Sequence, residues 1–93
     1  KVDVIPSYST DPRIRQLNLK LLEDDKHFFP PYDAVPIIRR EILAANPGLE
    51  QTINQLAGKI TDEKIRYMNG QVNIHHKRPK AVARDFLKKE GLL

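Results

Sequence analysis

The chain of 93 residues has no cysteine and no tryptophan, only four glycines, and no apolar run near the ~20 residues a membrane-spanning helix needs. Without cysteine there is no disulfide framework and no thiolate to act as nucleophile or metal ligand. Without a glycine-rich stretch there is no loop to cradle phosphates. No signal peptide is recognisable. The opening Lys1-Val2-Asp3-Val4-Ile5 lacks Met and reads as a strand already under way, as expected of a fragment. Internal repeats and low-complexity segments are absent as well.

What is present suits one small soluble domain, or a piece of a larger one: 40% hydrophobic and 30% charged residues. The net charge of +4 is uneven. Residues 1–46 balance seven Lys/Arg against seven Asp/Glu, whereas residues 47–93 carry nine against five. Lys77, Arg78, Lys80, Arg84, Lys88 and Lys89 supply much of the excess and define the alternative reading, a small basic nucleic-acid-binding domain.

The pattern predicts an α/β chain, with short strands in the first half and helices in the second. Val2–Ile5, Leu19–Leu22 and Ala34–Ile38 read as strands; Pro36 places the last at an edge or a bulge. Asp11-Pro12 opens a short helix to about Leu17, an acceptor followed by a residue with preset φ and no N–H. A short helix over Arg39–Ala45 ends before Asn46-Pro47-Gly48. Leu49, Ile53, Leu56 and Ala57 fall on one helix face, capped by Gly58. Thr61 caps the next helix, with Asp62 and Glu63 in its first turn and Ile60 and Ile65 placed for a hydrophobic staple. Ile65, Met68 and Val72 form its apolar stripe, and Gly70 predicts that it ends or bends nearby. Pro79 opens the last helix, Val82, Ala83, Phe86 and Leu87 make its apolar face, and Gly91 stops it. Residues 1–38 thus hold the strands and ligand loops, and residues 39–93 the helical part.

The centre of this arrangement is Phe28-Phe29-Pro30-Pro31-Tyr32-Asp33-Ala34, which contains the only Phe-Phe and the only Pro-Pro pair. Two adjacent prolines fix two φ angles and remove two backbone donors, so the segment is a stiff aromatic loop. Other groupings fail as sites. His75-His76 has only His27 for company, short of a tetrahedral metal set. Ser7, Ser9 and Thr10 near Asp11 lack a histidine at triad spacing. Glu23-Asp24-Asp25 lacks the alternation and central glycine of a calcium loop and reads as a solvated turn. No catalytic constellation emerges, and no cofactor is implied.

Tyr8 and Tyr32 each follow a predicted strand, on loops of restricted backbone. If the strands at 2–5 and 19–22 are neighbours, both loops project from one sheet edge. Two phenol faces across a gap attract a cation that has no N–H to donate, a quaternary ammonium.

The residues Tyr8-Ser9-Thr10-Asp11 with Arg13-Ile14, then Leu22-Glu23-Asp24-Asp25-Lys26 running into Phe28–Ala34, resemble the glycine betaine/choline/carnitine substrate-binding proteins of ABC importers, in their C-terminal third. Leu56–Asp62, Asn69 with Gln71-Val72, and the ending Phe86–Leu93 extend the likeness over essentially the whole chain. The resemblance implies part of one lobe of a type II periplasmic-binding-protein fold, with the ligand's trimethylammonium boxed by tyrosines. It implies that Tyr8 and Tyr32 are two of these, their separation of 24 positions agreeing with the family's. Thr10 and Asp11 belong to the same motif, as loop-shaping and capping groups first. The remaining cage residues would lie upstream. The implied partners are a quaternary ammonium small molecule, a membrane permease and the remainder of the substrate-binding domain. Neither catalysis nor a nucleic-acid partner is implied. The implied place is extracytoplasmic, in the periplasm or on the outer face of the cell membrane. A lone fragment is expected to self-associate through a sheet edge and an unfilled cleft wall. Pro12 stands where the family commonly has Gly, Gly70 where a larger residue is expected, and His75-His76-Lys77-Arg78 is more basic than usual.

Overall fold

The computed structural model describes all 93 residues. They form five helices: α1 (Arg13–Gln16), α2 (Arg40–Ala45), α3 (Leu49–Asn54), α4 (Asp62–Asn73) and α5 (Pro79–Lys89). The chain divides into two units, one of Lys1–Leu21 with Ile60–Leu93, the other of Leu22–Lys59. No helix is long and apolar enough to cross a membrane.

The α/β expectation is overturned, because no strand forms. Neither the strands expected at 2–5, 19–22 and 34–38 nor the sheet of a partial lobe is built by these residues. Apolar, β-branched sequence is a propensity, and a strand exists only when a neighbour completes its ladder. Here Val2 and Val4 stay 73% and 70% exposed, and Ile37 reaches 91%. The segment at 19–22 has a more local cause. Asn18 adopts a left-handed conformation (φ 51°), so the N–H of Leu19 closes α1 by donating to the Ile14 carbonyl at 2.8 Å. Asn18 donates likewise to Arg15. This is a Schellman end, and it uses the donor a ladder would need.

In the first unit, α4 and α5 pack on each other. Thr61 caps α4, its hydroxyl oxygen accepting from the Lys64 N–H at 3.2 Å. Gly70 stands in the last turn of α4, which ends three residues on at Asn73, near where the glycine suggested. It lies beside Pro12: a Cβ built at Gly70 would meet the Pro12 Cβ at 3.5 Å, an ordinary contact. The helix closes in a wide turn, with His75 N–H donating to the Gly70 carbonyl and Lys77 N–H to that of Gln71, around a left-handed His76. Pro79 takes the first turn of α5. Gly91 (φ 70°) ends α5 in a second Schellman motif, Leu92 N–H donating to Leu87 at 2.9 Å. Val82 is buried on α5 and Phe86 and Leu87 are half-buried, but Ala83 is exposed. The side chains of Lys64 and Glu90 pair between the two helices, and the Lys64 ammonium lies 5.9 Å from the Phe86 ring centroid. Ile14 and Val82 are the buried apolar residues of this unit.

The second unit holds the aromatic loop, α2 and α3. None of its residues is buried; Leu49, Ile53 and Leu56 are half-buried along one side, while Ala57 is exposed. Past α3 the chain tightens into i→i−3 turns and stops at Gly58 (φ 71°).

Candidate functional site

The Tyr8 loop is built by α4. Tyr8-Ser9-Thr10-Asp11 closes as a turn, the Asp11 N–H donating to the Tyr8 carbonyl at 3.0 Å. That leaves the carbonyls of Ser9 and Thr10 facing the helix. Arg66 Nε donates to the first at 2.6 Å and Asn69 Nδ2 to the second at 3.1 Å. Residues at i and i+3 share a helix face, so one side of α4 holds two successive peptide units of the loop. The backbone is fixed from behind, and the Tyr8 side chain stays 71% exposed. Met68, on the other side of α4, lines a groove with Val82 and Phe86 of α5. This helix therefore has an apolar face and a polar face, both occupied.

Asp11 shapes the loop further. Its carboxylate accepts the Arg13 backbone N–H at 2.9 Å, which begins α1, and grips the Arg13 guanidinium through Nε at 3.0 Å and Nη2 at 2.6 Å. The hydrogen bonds from the Arg13 side chain, then from its backbone, bring the Asp11 carboxyl down to about 2. A carboxylate so engaged shapes the loop, whereas α1 itself starts from Pro12 without a side-chain cap, and not from Asp11 as the sequence suggested.

Tyr8, Thr10 and Asp11 line an open cleft of about 550 Å³ together with Arg13, Gln16 and Asn73. Three of the four residues selected from the sequence thus share one cleft in the first unit. Tyr32 belongs to the second unit and is 87% exposed on the proline loop. Beside it, Phe28 and Phe29 stand exposed, edge to face, with ring centroids 5.1 Å apart. Sequence reasoning missed Arg66 and Asn69. Arg66, Asn69 and Asn73 recur at i, i+3 and i+7 beside the apolar stripe, but a polar line at that spacing is also what a solvated helix face shows, so the sequence did not single them out. It also missed Asp24, whose two oxygens each accept a backbone N–H, from Phe28 at 3.0 Å and Phe29 at 2.9 Å.

Lys77, Arg78, Lys80, Arg84 and Lys88 are exposed around α5, whereas Lys89 places its ammonium 5.8 Å from the Tyr67 ring centroid. His75 and His76 sit in the exposed turn before that helix.

Loops positioned by a rigid scaffold are where binding residues concentrate. Residues 1–89 match the family model described as the substrate-binding domain of the ABC-type glycine betaine transport system. The chain belongs to that family, whose members are substrate-binding proteins of transporters and not enzymes. Among its relatives, the carnitine transport binding protein OpuCC of Listeria monocytogenes is 49% identical over 91 residues, 98% of this chain and 30% of the relative. The ergothioneine transport permease/ergothioneine binding protein EgtU of Helicobacter pylori is 42% identical over 92 residues, covering 99% of this chain and 17% of the relative. A glycine-betaine-binding protein of Pseudomonas aeruginosa is 34% identical over 85 residues, 91% of this chain and 27% of the relative. The chain therefore spans less than a third of the length of the curated relatives it matches.

Proposed function

We propose that these residues are the C-terminal third of an extracytoplasmic substrate-binding protein that captures a quaternary-amine osmolyte and hands it to an ABC permease. Glycine betaine, carnitine and ergothioneine differ in their tails and share a trimethylammonium group. Such a group has no N–H, so hydrogen-bond acceptors cannot hold it well. Aromatic faces hold it at roughly 0.5–2 kcal/mol per ring. On this reading Tyr8 and Tyr32 each contribute one face, Thr10 and Asp11 support the loop of the first, and the other walls come from the rest of the domain. That remainder also covers the open apolar side chains of the segments at 2–5 and 34–38. The observation that carries the proposal is Tyr8: a ring 71% exposed on a backbone that Arg66 and Asn69 anchor. A solvated surface has no need of such anchoring.

The test is calorimetric titration of the full-length protein with glycine betaine, choline, carnitine and ergothioneine. Saturable binding of at least one is expected, with no response to glycine, a control that lacks the three methyl groups. Failure of all four would remove the assignment.

A further inference from the structure

The sequence presents Glu23-Asp24-Asp25 as a solvated turn, but Asp24 is half-buried and supplies three acceptors. Its carbonyl oxygen accepts the His27 N–H at 3.1 Å. Its carboxylate oxygens accept the N–H groups of Phe28 and Phe29. Three consecutive amides therefore converge on one residue. The two that reach the carboxylate, that of Phe29 foremost, hold the Asp24 carboxyl below the usual carboxylate range. The clamp also holds His27 left-handed (φ 50°), a conformation that L side chains seldom adopt.

Beyond the clamp the chain has little freedom. Pro30 and Pro31 have fixed φ and offer no N–H. Phe29 and Pro30 each precede a proline, which confines them to extended ψ. Once residues 27–29 are fixed, the soft torsions left before Tyr32 are few, chiefly ψ of Pro31. Fixing one carboxylate therefore fixes the direction in which the loop leaves for Tyr32.

We propose that Asp24 is a positioning residue for Tyr32: it clamps the stem of the Phe28–Tyr32 loop and so presents the Tyr32 ring to ligand. The presentation to ligand rests on the function proposed above; the clamp itself does not. Asp24→Ala should accordingly act locally and through Tyr32 alone.

The experiment uses the full-length protein and its Asp24→Ala, Asp24→Asn, Tyr32→Ala and Asp24→Ala/Tyr32→Ala variants. Without ligand, amide hydrogen exchange is read at Phe28, Phe29 and α4. Asp24→Ala is expected to speed exchange at Phe28 and Phe29 at least tenfold and to leave α4 unchanged. Asp24→Asn, which keeps one carbonyl acceptor, should fall between. Titration with the tightest of the four trimethylammonium compounds then gives the coupling. Asp24→Ala should weaken binding several-fold in the native background and not at all once Tyr32 is Ala. Unchanged exchange at Phe28 and Phe29 overturns the clamp. Equal losses of affinity in both backgrounds, or slowed folding with faster exchange in α4, overturn action through Tyr32 in favour of a general structural role. If Tyr32→Ala binds as well as the native protein, the cage assignment of Tyr32 fails, while the exchange result still decides the clamp.

Discussion

Tyr8→Ala and Tyr32→Ala, each in the full-length protein, should weaken binding of a trimethylammonium ligand by about 2- to 30-fold, the range that corresponds to ~0.5–2 kcal/mol per aromatic face. Tyr→Phe at either position should retain most of the affinity, because the ring face persists and only the hydroxyl is lost. Both rings are exposed, at 71% and 87%, so their removal should leave the thermal midpoint nearly unchanged. Combining unaltered stability with reduced affinity separates a ligand contact from a packing role. A Tyr8→Ala protein that melts several degrees lower would instead mean that the ring supports the fold. Isothermal titration paired with thermal melts of the same four variants checks this.

A second large effect concerns residues 1–93 prepared alone. They should show no cooperative unfolding transition and should self-associate at micromolar concentration. The reason lies in the burial. Two apolar side chains, Ile14 and Val82, are buried, and both lie in the first unit. Full burial of such a side chain contributes about 1.5–3 kcal/mol, while ordering each residue's backbone costs ~1–2 kcal/mol. The helices run from 4 to 12 residues, and isolated helices shorter than about 12–15 are marginal in water. Meanwhile Val2, Val4, Phe28, Phe29, Val35 and Ile37 all stand open to solvent. Association is expected through these exposed apolar side chains within each unit, and not through the sheet edge anticipated from the sequence, since no sheet forms. Circular dichroism during heating should give a broad slope, and sedimentation should give species heavier than 10.7 kDa. A sharp two-state melt from a monomer would show that these residues suffice as a domain.

How much of this is legible in the sequence depends on how local each signal is. Thr61, Pro79 and Gly91 announce helix ends correctly, because a cap depends on a few adjacent residues. Asn18 carries the same kind of signal, yet the apolar run after it has the pattern of a strand. The strands fail for the complementary reason. Pairing depends on residues distant in the chain, and β-branched pattern does not say whether a partner is there. Gly70 marks the last turn of α4 as its propensity suggests, but propensity does not show that it lies beside Pro12. Tyr8, Thr10 and Asp11 stand out as a motif and share a cleft, but the motif does not show that Arg66 and Asn69, 57 and 59 positions away from their acceptors, fix the loop. Asp24 is hidden among like charges, where composition reads solvation and only backbone geometry reveals a clamp.

The most direct test of the central claim, that aromatic faces of this segment read a permethylated cation, is a comparison of choline with 3,3-dimethylbutan-1-ol, its uncharged carbon counterpart of nearly equal shape. Titrated calorimetrically into the full-length protein, choline should bind about tenfold or more tightly than the neutral alcohol, and Tyr8→Ala/Tyr32→Ala should narrow that gap. Equal affinities for the two, or a gap that survives the loss of both tyrosines, would contradict the account.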